Sequence, residues 1–507
     1  VEKTVIAKRA RAIAAVVALG VGCGGDGSGP NLLTARIDYV AGAIEPILAP
    51  GDRVVIEGFG FGETAGTLRL PAASGGTVDV PVAPSDWTAF TITAVIPEDA
   101  ATGGASLRLT TAAGRELAAT VHVLPRPGFD PASLTWQSRA AFPRAPAGIA
   151  LAAAEFAGPT GGGIQTSIFA AGGAEPFSSG PGTDLQMAPD SGVYVAHVLG
   201  GGAGTSIDGW TRQRDTTDPV RSRVLPVPRA FAAAVVATRH NSRLDGSALY
   251  VIGGIDAAGQ AQPTVLGAGV TADSVNQRFA FLEPLPTALV GAIAVVRAGR
   301  IYVMGGTDAQ GRPQRRVFVG RIGPDGHIDG WYSQPDLPGP RAYGAGLARE
   351  NRVAAIGGVA DSVPLGGGFD AGTQRLVTGD TAAVSLLSGF FSGSWGVGPA
   401  LLPAGRSQFA LLDLGGTVLA VGGVYAGAAT NSAETLAATV AGDSVGPFAG
   451  PVGTNRIADQ LCAAQSAGTL VGPSGVTWRE ADGTPHGLVV GGIDLASQLR
   501  RNCAWGF

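Results

Sequence analysis

The chain has 507 residues, 45% of them apolar and only 15% charged, which is material for two or three separate cores. Its 80 glycines and 34 prolines are spread along the whole length, the pattern of tight turns between short strands rather than of a disordered tail. A net charge of −4 excludes broad attraction to nucleic acid, and five histidines with three cysteines are few for a metal or redox enzyme, so no cofactor is expected.

Residues 1–22 have the form of a signal peptide. Lys3, Lys8, Arg9 and Arg11 precede an apolar run from Ala12 to Val21, too short to cross a bilayer as a helix. Leu19-Gly20-Val21-Gly22-Cys23 resembles a bacterial lipobox, departing from it at Gly20, with the leucine one residue farther out. The resemblance implies export, a lipid on Cys23 and a lipid bilayer as partner through that acyl anchor. The expected location is the cell envelope, at the outer membrane or cell surface; a periplasmic or secreted form is the alternative. With Cys23 lipidated, Cys462 and Cys503 remain, and an oxidising compartment would join them. Two small buried thiols are the other reading. Residues 23–33 are a Gly-rich tether.

Residues 34–124 read as short strands: Arg53 to Glu57, Thr77 to Val80, Trp87 to Ile92, and Ala105 to Leu109. Ala49-Pro50-Gly51, followed by Val54, Ile56, Gly58, Gly60, Phe61 and Gly62, resembles the opening of an IPT/TIG domain. That family implies an Ig-like sandwich, a fold that settles no function by itself. Residues 125–132 form a proline-rich linker.

From 133 to 507 a unit repeats. Apolar strands end in Gly172-Gly173, Gly253-Gly254, Gly305-Gly306, Gly357-Gly358, Gly422-Gly423 and Gly491-Gly492. Before each doublet comes a strand of small residues: GIALAAA, FAAAVVA, GAIAVVR, AYGAGLA, SQFALLD and DQLCAAQ. After it comes an alternating strand, then one with an aromatic, such as Trp210, Phe279 or Phe281, Trp331, Trp395 and Phe448. Arg144, Arg229, Arg341, Arg406 and Arg456 precede most of the small-residue strands. These features resemble kelch repeats. The resemblance implies an all-β chain: an Ig-like sandwich, then a six-bladed kelch-like β-propeller closed by pairing of its N- and C-terminal strands. The last unit lacks a fourth strand, and Leu134 to Gln137 could supply it.

The small-residue strands predict an axial channel lined by hydrocarbon, with any activity on the rim. His122, His197, His240, His327 and His486 fall at unrelated phases of the repeat, without metal-ligand spacing. The repeating arginines could bind a carboxylate, but their register favours a structural role bonding to carbonyls of the neighbouring blade. Asp208 and Asp329 read as turn residues. Long loops fall at 174–192 and 359–380 and between units at 211–228. The last carries Arg212, Arg214, Asp215, Asp218, Arg221 and Arg223, a candidate binding face or simply a solvated charged loop. The expected function is therefore a binding protein, not an enzyme, whose partner is an envelope protein or a glycan. The alternative is a carbohydrate-active propeller enzyme, sialic-acid isomerase-like or oxidase-like.

Overall fold

The computed structural model describes residues 35–507 except 145–146, 158–163, 178–185, 200–205, 215–221, 239–245, 324, 350–351, 361–374, 383–389, 392–394, 426–432, 442–443, 458–469, 471, 495–498 and 501–502. The expected signal peptide and tether, Cys23, Asp215, Asp218, Arg221, His240 and Cys462 lie outside the described residues.

The described chain is all-β and begins with a two-sheet module. Arg36–Val40, Arg53–Phe59 and Thr91–Val95 form one sheet. The other runs in the order Ile47–Leu48, Glu116–Val123, Gly103–Thr110, Thr67–Pro71, Thr77–Asp79. Alternation in Gly103–Thr110 sends Ala105, Leu107 and Leu109 inward, where they share a core with Ile56, Phe61, Trp87 and Ile92. Each such side chain contributes about 1.5–3 kcal/mol on burial. The Gly-Phe-Gly corner has a local cause: a Cβ on Gly58 would overlap the Arg36 carbonyl oxygen. The strand expected from Trp87 to Ile92 is instead Thr91–Val95; Trp87 lies before it, and its indole N–H donates to the Gly62 carbonyl (3.1 Å).

Among the described residues six antiparallel sheets of four or five strands follow, each built outward from a first strand, together with three two-stranded ones. In order, these first strands are Ala150–Ala157, Ala233–Ala237, Ile293–Arg297, Ala345–Arg349, Ala410–Asp413 and Ser474–Arg479. Each neighbours the next, and the sixth neighbours the first. The arrangement is propeller-like. In sheet six, Ala504–Gly506 pairs on its outer side with Gln137–Ser138, Trp505 opposite Ser138. The first strand of sheet six is a correction: it is Ser474–Arg479, and the DQLCAAQ stretch lies outside the described residues. Alanine and cysteine made that stretch match the composition of its counterparts, whereas SGVTWR carries the hydrogen-bond register.

The glycine doublets join neighbouring sheets. All twelve glycines have left-handed φ, between 62° and 104°. The second glycine of a doublet donates its N–H to a carbonyl at the entrance of the next sheet: Gly173 to Arg229, Gly254 to Leu289, Gly306 to Arg341 and Gly358 to Arg406 (each 2.8 Å), and Gly423 to Leu470 (2.7 Å). A Cβ on the first glycine would overlap that same carbonyl oxygen at Gly172, Gly253, Gly305 and Gly357. Leu470, not Arg456, therefore holds the entrance position in sheet six.

Two residues beyond each entrance carbonyl, a second recurrence closes one end of the first strands. Gly148, Phe231, Gly291, Tyr343, Gln408 and Gly472 all have left-handed φ. Phe231 N–H donates to Gly148, Gly291 to Phe231, Tyr343 to Gly291, Gln408 to Tyr343 and Gly472 to Gln408, at 2.8–3.0 Å. Phe231 and Tyr343 are accommodated in strained backbone conformations because the position before each in the series is glycine. A Cβ on Gly148 would overlap the Phe231 ring, and one on Gly291 the Tyr343 ring. The two rings meet edge to face, 6.2 Å apart. They pack with Ala147, Ala230, Val290 and Ala342 into an apolar plug.

Candidate functional site

At the other end of the first strands the chain is charged. Glu155, Thr238, Arg297, Arg349, Asp413 and Arg479, one from each sheet in order, line a cavity of about 620 Å³ roofed by the two-sheet module. This corrects the expectation of a hydrocarbon lining throughout: ionisable side chains meet at one mouth. The segments GAIAVVR and SQFALLD ended in those charges, but a terminal residue of a short strand gives no sign in sequence that its counterparts converge on it.

The module is seated on hairpins of sheets three, five and six. Gly42 lies against the Ala298-Gly299 turn, Arg126 packs over Gly415, and the Pro125 carbonyl packs against Gly483. The Arg297 guanidinium donates to the Arg53 carbonyl (3.2 Å). Beside it, Arg300 stands 3.6 Å from Glu57, both buried at the seam. Burial pushes the Glu57 carboxyl above its ordinary range, and the adjacent Arg300 and Arg321 offset this only in part.

Within the cavity, charges of both signs are matched. Glu155 pairs with Arg479 (4.0 Å) and accepts the Arg479 backbone N–H (2.6 Å). Arg349 pairs with Asp413, and on the module side Arg126 pairs with Asp52 (2.5 Å). Arg53, also in the lining, reaches Asp86 (3.5 Å).

The other sequence-singled residues have plainer surroundings. The glycine doublets are inter-sheet joints. Arg229, Arg341 and Arg406 are buried and structural: Arg341 donates to the Gly357 carbonyl and Arg406 to that of Gly422 (2.9 Å), while Arg229 reaches the Pro228 carbonyl (2.9 Å) and the Thr264 hydroxyl. The carbonyls belong to the arginine's own unit, not to a neighbour's. Burial pulls the Arg341 guanidinium down to about 10. Arg144 pairs with Asp190. Asp208 sits in a turn and accepts from the His197 backbone N–H (2.6 Å), but Asp329 lies within the strand Ile328–Gln334, a correction to the turn reading.

In the charged loop, Arg212 and Arg214 are exposed and Arg223 is half-buried, and the Arg223 N–H ties the loop's ends to the Arg214 carbonyl (2.7 Å). Its stems lie at the glycine-doublet end, away from the cavity. Cys503 is buried and disulfide-bonded. Among the described residues no group of three His, Cys, Asp or Glu side chains could hold a metal ion, and no helix is long and apolar enough to cross a membrane.

The fold and site define an all-β, propeller-like chain with a polar cavity at one mouth. No protein-family model and no curated protein matches the chain. Among solved structures, one described as "Structure of YjhT" is similar at 13% identity with a TM-score of 0.43, covering 72% of this chain and 95% of that one.

Proposed function

We propose that the chain is an exported, membrane-anchored binding protein: a closed six-bladed kelch-like propeller, capped by an Ig-like module of IPT/TIG type, that presents a binding site to an envelope protein or glycan. The ring reading is supported by the sixth first strand neighbouring the first and by the Trp505–Ser138 pairing. The observation that carries the functional reading is the roofed cavity of about 620 Å³, a volume typical of ligand sites, in which Asp52, Glu155 and Asp413 are each tied to an arginine. Such a site is equipped to hold a polar molecule by charge-assisted bonds; proton transfer, which a carbohydrate-active enzyme would need, has no untied carboxylate among these three.

The test uses the full chain, immobilised and exposed to envelope extract and to a glycan array. Retention of a defined component without its chemical conversion supports binding. Turnover of a bound glycan, or no retention from either source, defeats the proposal. Replacing residues 211–228 by a short turn is expected to leave retention unchanged, because that loop lies at the opposite end; lost retention would move the site there. A Cys23→Ala chain is expected to leave the membrane fraction, and continued sedimentation with membranes would refute the anchor.

A further inference from the structure

Resting on that reading, we infer that the cavity receives a small molecule bearing an oxyanion, a carboxylate, phosphate or sulfate group, held by the guanidinium groups of Arg53, Arg349 and Arg479. The three come from separate elements, the module strand Arg53–Phe59 and the first strands of sheets four and six, and all line the same cavity. Their side chains are 38%, 15% and 22% exposed, so each guanidinium keeps an accessible edge.

Donor capacity exceeds what the carboxylates take up. A guanidinium carries five N–H donors. Asp86 and Glu155 approach Arg53 and Arg479 only at 3.5 and 4.0 Å, and Asp413 meets Arg349 through one nitrogen. Among the described residues Arg53 Nε, Arg349 Nε and Arg479 Nη1 have no hydrogen-bond partner. Buried polar groups left this way are costly, and a small reorientation toward an acceptor-rich group would satisfy them. A cationic molecule lacks that opportunity, since Asp52, Glu155 and Asp413 already face arginines and Glu45, the fourth carboxylate of the lining, is also engaged.

The far end adds to the argument. There the series of backbone bonds from Gly148 to Gly472 carries the Phe231 and Tyr343 rings in an apolar cluster, so polar recognition falls to the charged end. An anion entering beneath the module meets fixed donors against low-dielectric walls, where charge-assisted bonds are strongest.

The experiment is calorimetric titration of the full chain with D-glucuronate, inorganic phosphate and sulfate, with D-glucose as the neutral counterpart of glucuronate. At least one of the three anions is expected to bind ten-fold or more tightly than glucose, and more weakly as salt is raised. Arg53→Gln and Arg479→Gln are each expected to weaken that anion at least ten-fold, with Arg69→Gln, on the module's outer surface, as an unaffected control. Arg53 is the most exposed of the three, so its variant keeps the test readable should Arg479→Gln fail to fold. Equal affinity for glucose and glucuronate, no binding of any of the three anions, or variants that bind as the parent does would overturn the inference. Should the chain still retain a neutral glycan or an envelope protein, the binding reading survives and only the oxyanion class falls. If nothing anionic, neutral or macromolecular is held, both fall.

Discussion

The pairing of Gln137–Ser138 with Ala504–Gly506 joins parts of the chain more than 360 residues apart, and Trp136 is its anchor. The indole is fully buried, donates to the Thr435 hydroxyl (3.0 Å), and meets the Phe507 ring edge to face at 5.2 Å. Asn455 clamps its backbone from both sides, accepting from the Trp136 N–H (2.8 Å) and donating to its carbonyl (2.9 Å). A tryptophan buries roughly 200 Å², which at about 25 cal/mol per Å² is about 5 kcal/mol. The lost bond to Thr435 adds about 1 kcal/mol. Trp136→Ala is therefore expected to destabilise by about 5–6 kcal/mol, and Trp136→Phe, which keeps most of the area, by about 1–3 kcal/mol. Equilibrium urea unfolding followed by tryptophan fluorescence and circular dichroism measures both. A cost below about 1 kcal/mol for Trp136→Ala would refute the reasoning, because an indole so enclosed cannot be removed cheaply if the two ends are joined.

Three further outcomes follow from other contacts. The Glu57 carboxyl is raised in the folded state, so the native chain binds an extra proton between the ordinary carboxyl range and the raised value; stability is highest below that window and falls as pH rises through it. Glu57→Gln is expected to flatten that slope in urea midpoints measured from about pH 4 to 8, and an unchanged slope would assign it to other groups. Gly483→Ala would drive a Cβ into the Pro125 carbonyl at a left-handed φ, an expected loss of about 2–3 kcal/mol with faster proteolysis across 125–132; wild-type proteolysis would show that the module is not seated there. Gly148→Ala is expected to destabilise by about 2–4 kcal/mol through overlap with the Phe231 ring, and adding Phe231→Ala should restore part of that loss; strictly additive costs would separate the two positions.

What was legible in the sequence had a local cause that repeats. A glycine doublet announces itself because two left-handed residues recur six times, five of them with a close inter-sheet carbonyl. Trp136 could be assigned a partner because an unpaired strand at one end matched a missing strand at the other. The left-handed series was illegible: Phe231, Tyr343 and Gln408 occupy positions where glycine would be expected, and each bonds through its N–H to the preceding sheet. The cavity was illegible for a different reason. Arg349, Asp413 and Arg479 are single charges at the last position of short strands and Glu155 lies two residues from the end of its own, and only the convergence of those strands, with Arg53 brought over them by a separate module, makes them neighbours. Composition along a strand reports what its length packs against; the chemistry at its tip depends on what the other strands bring there.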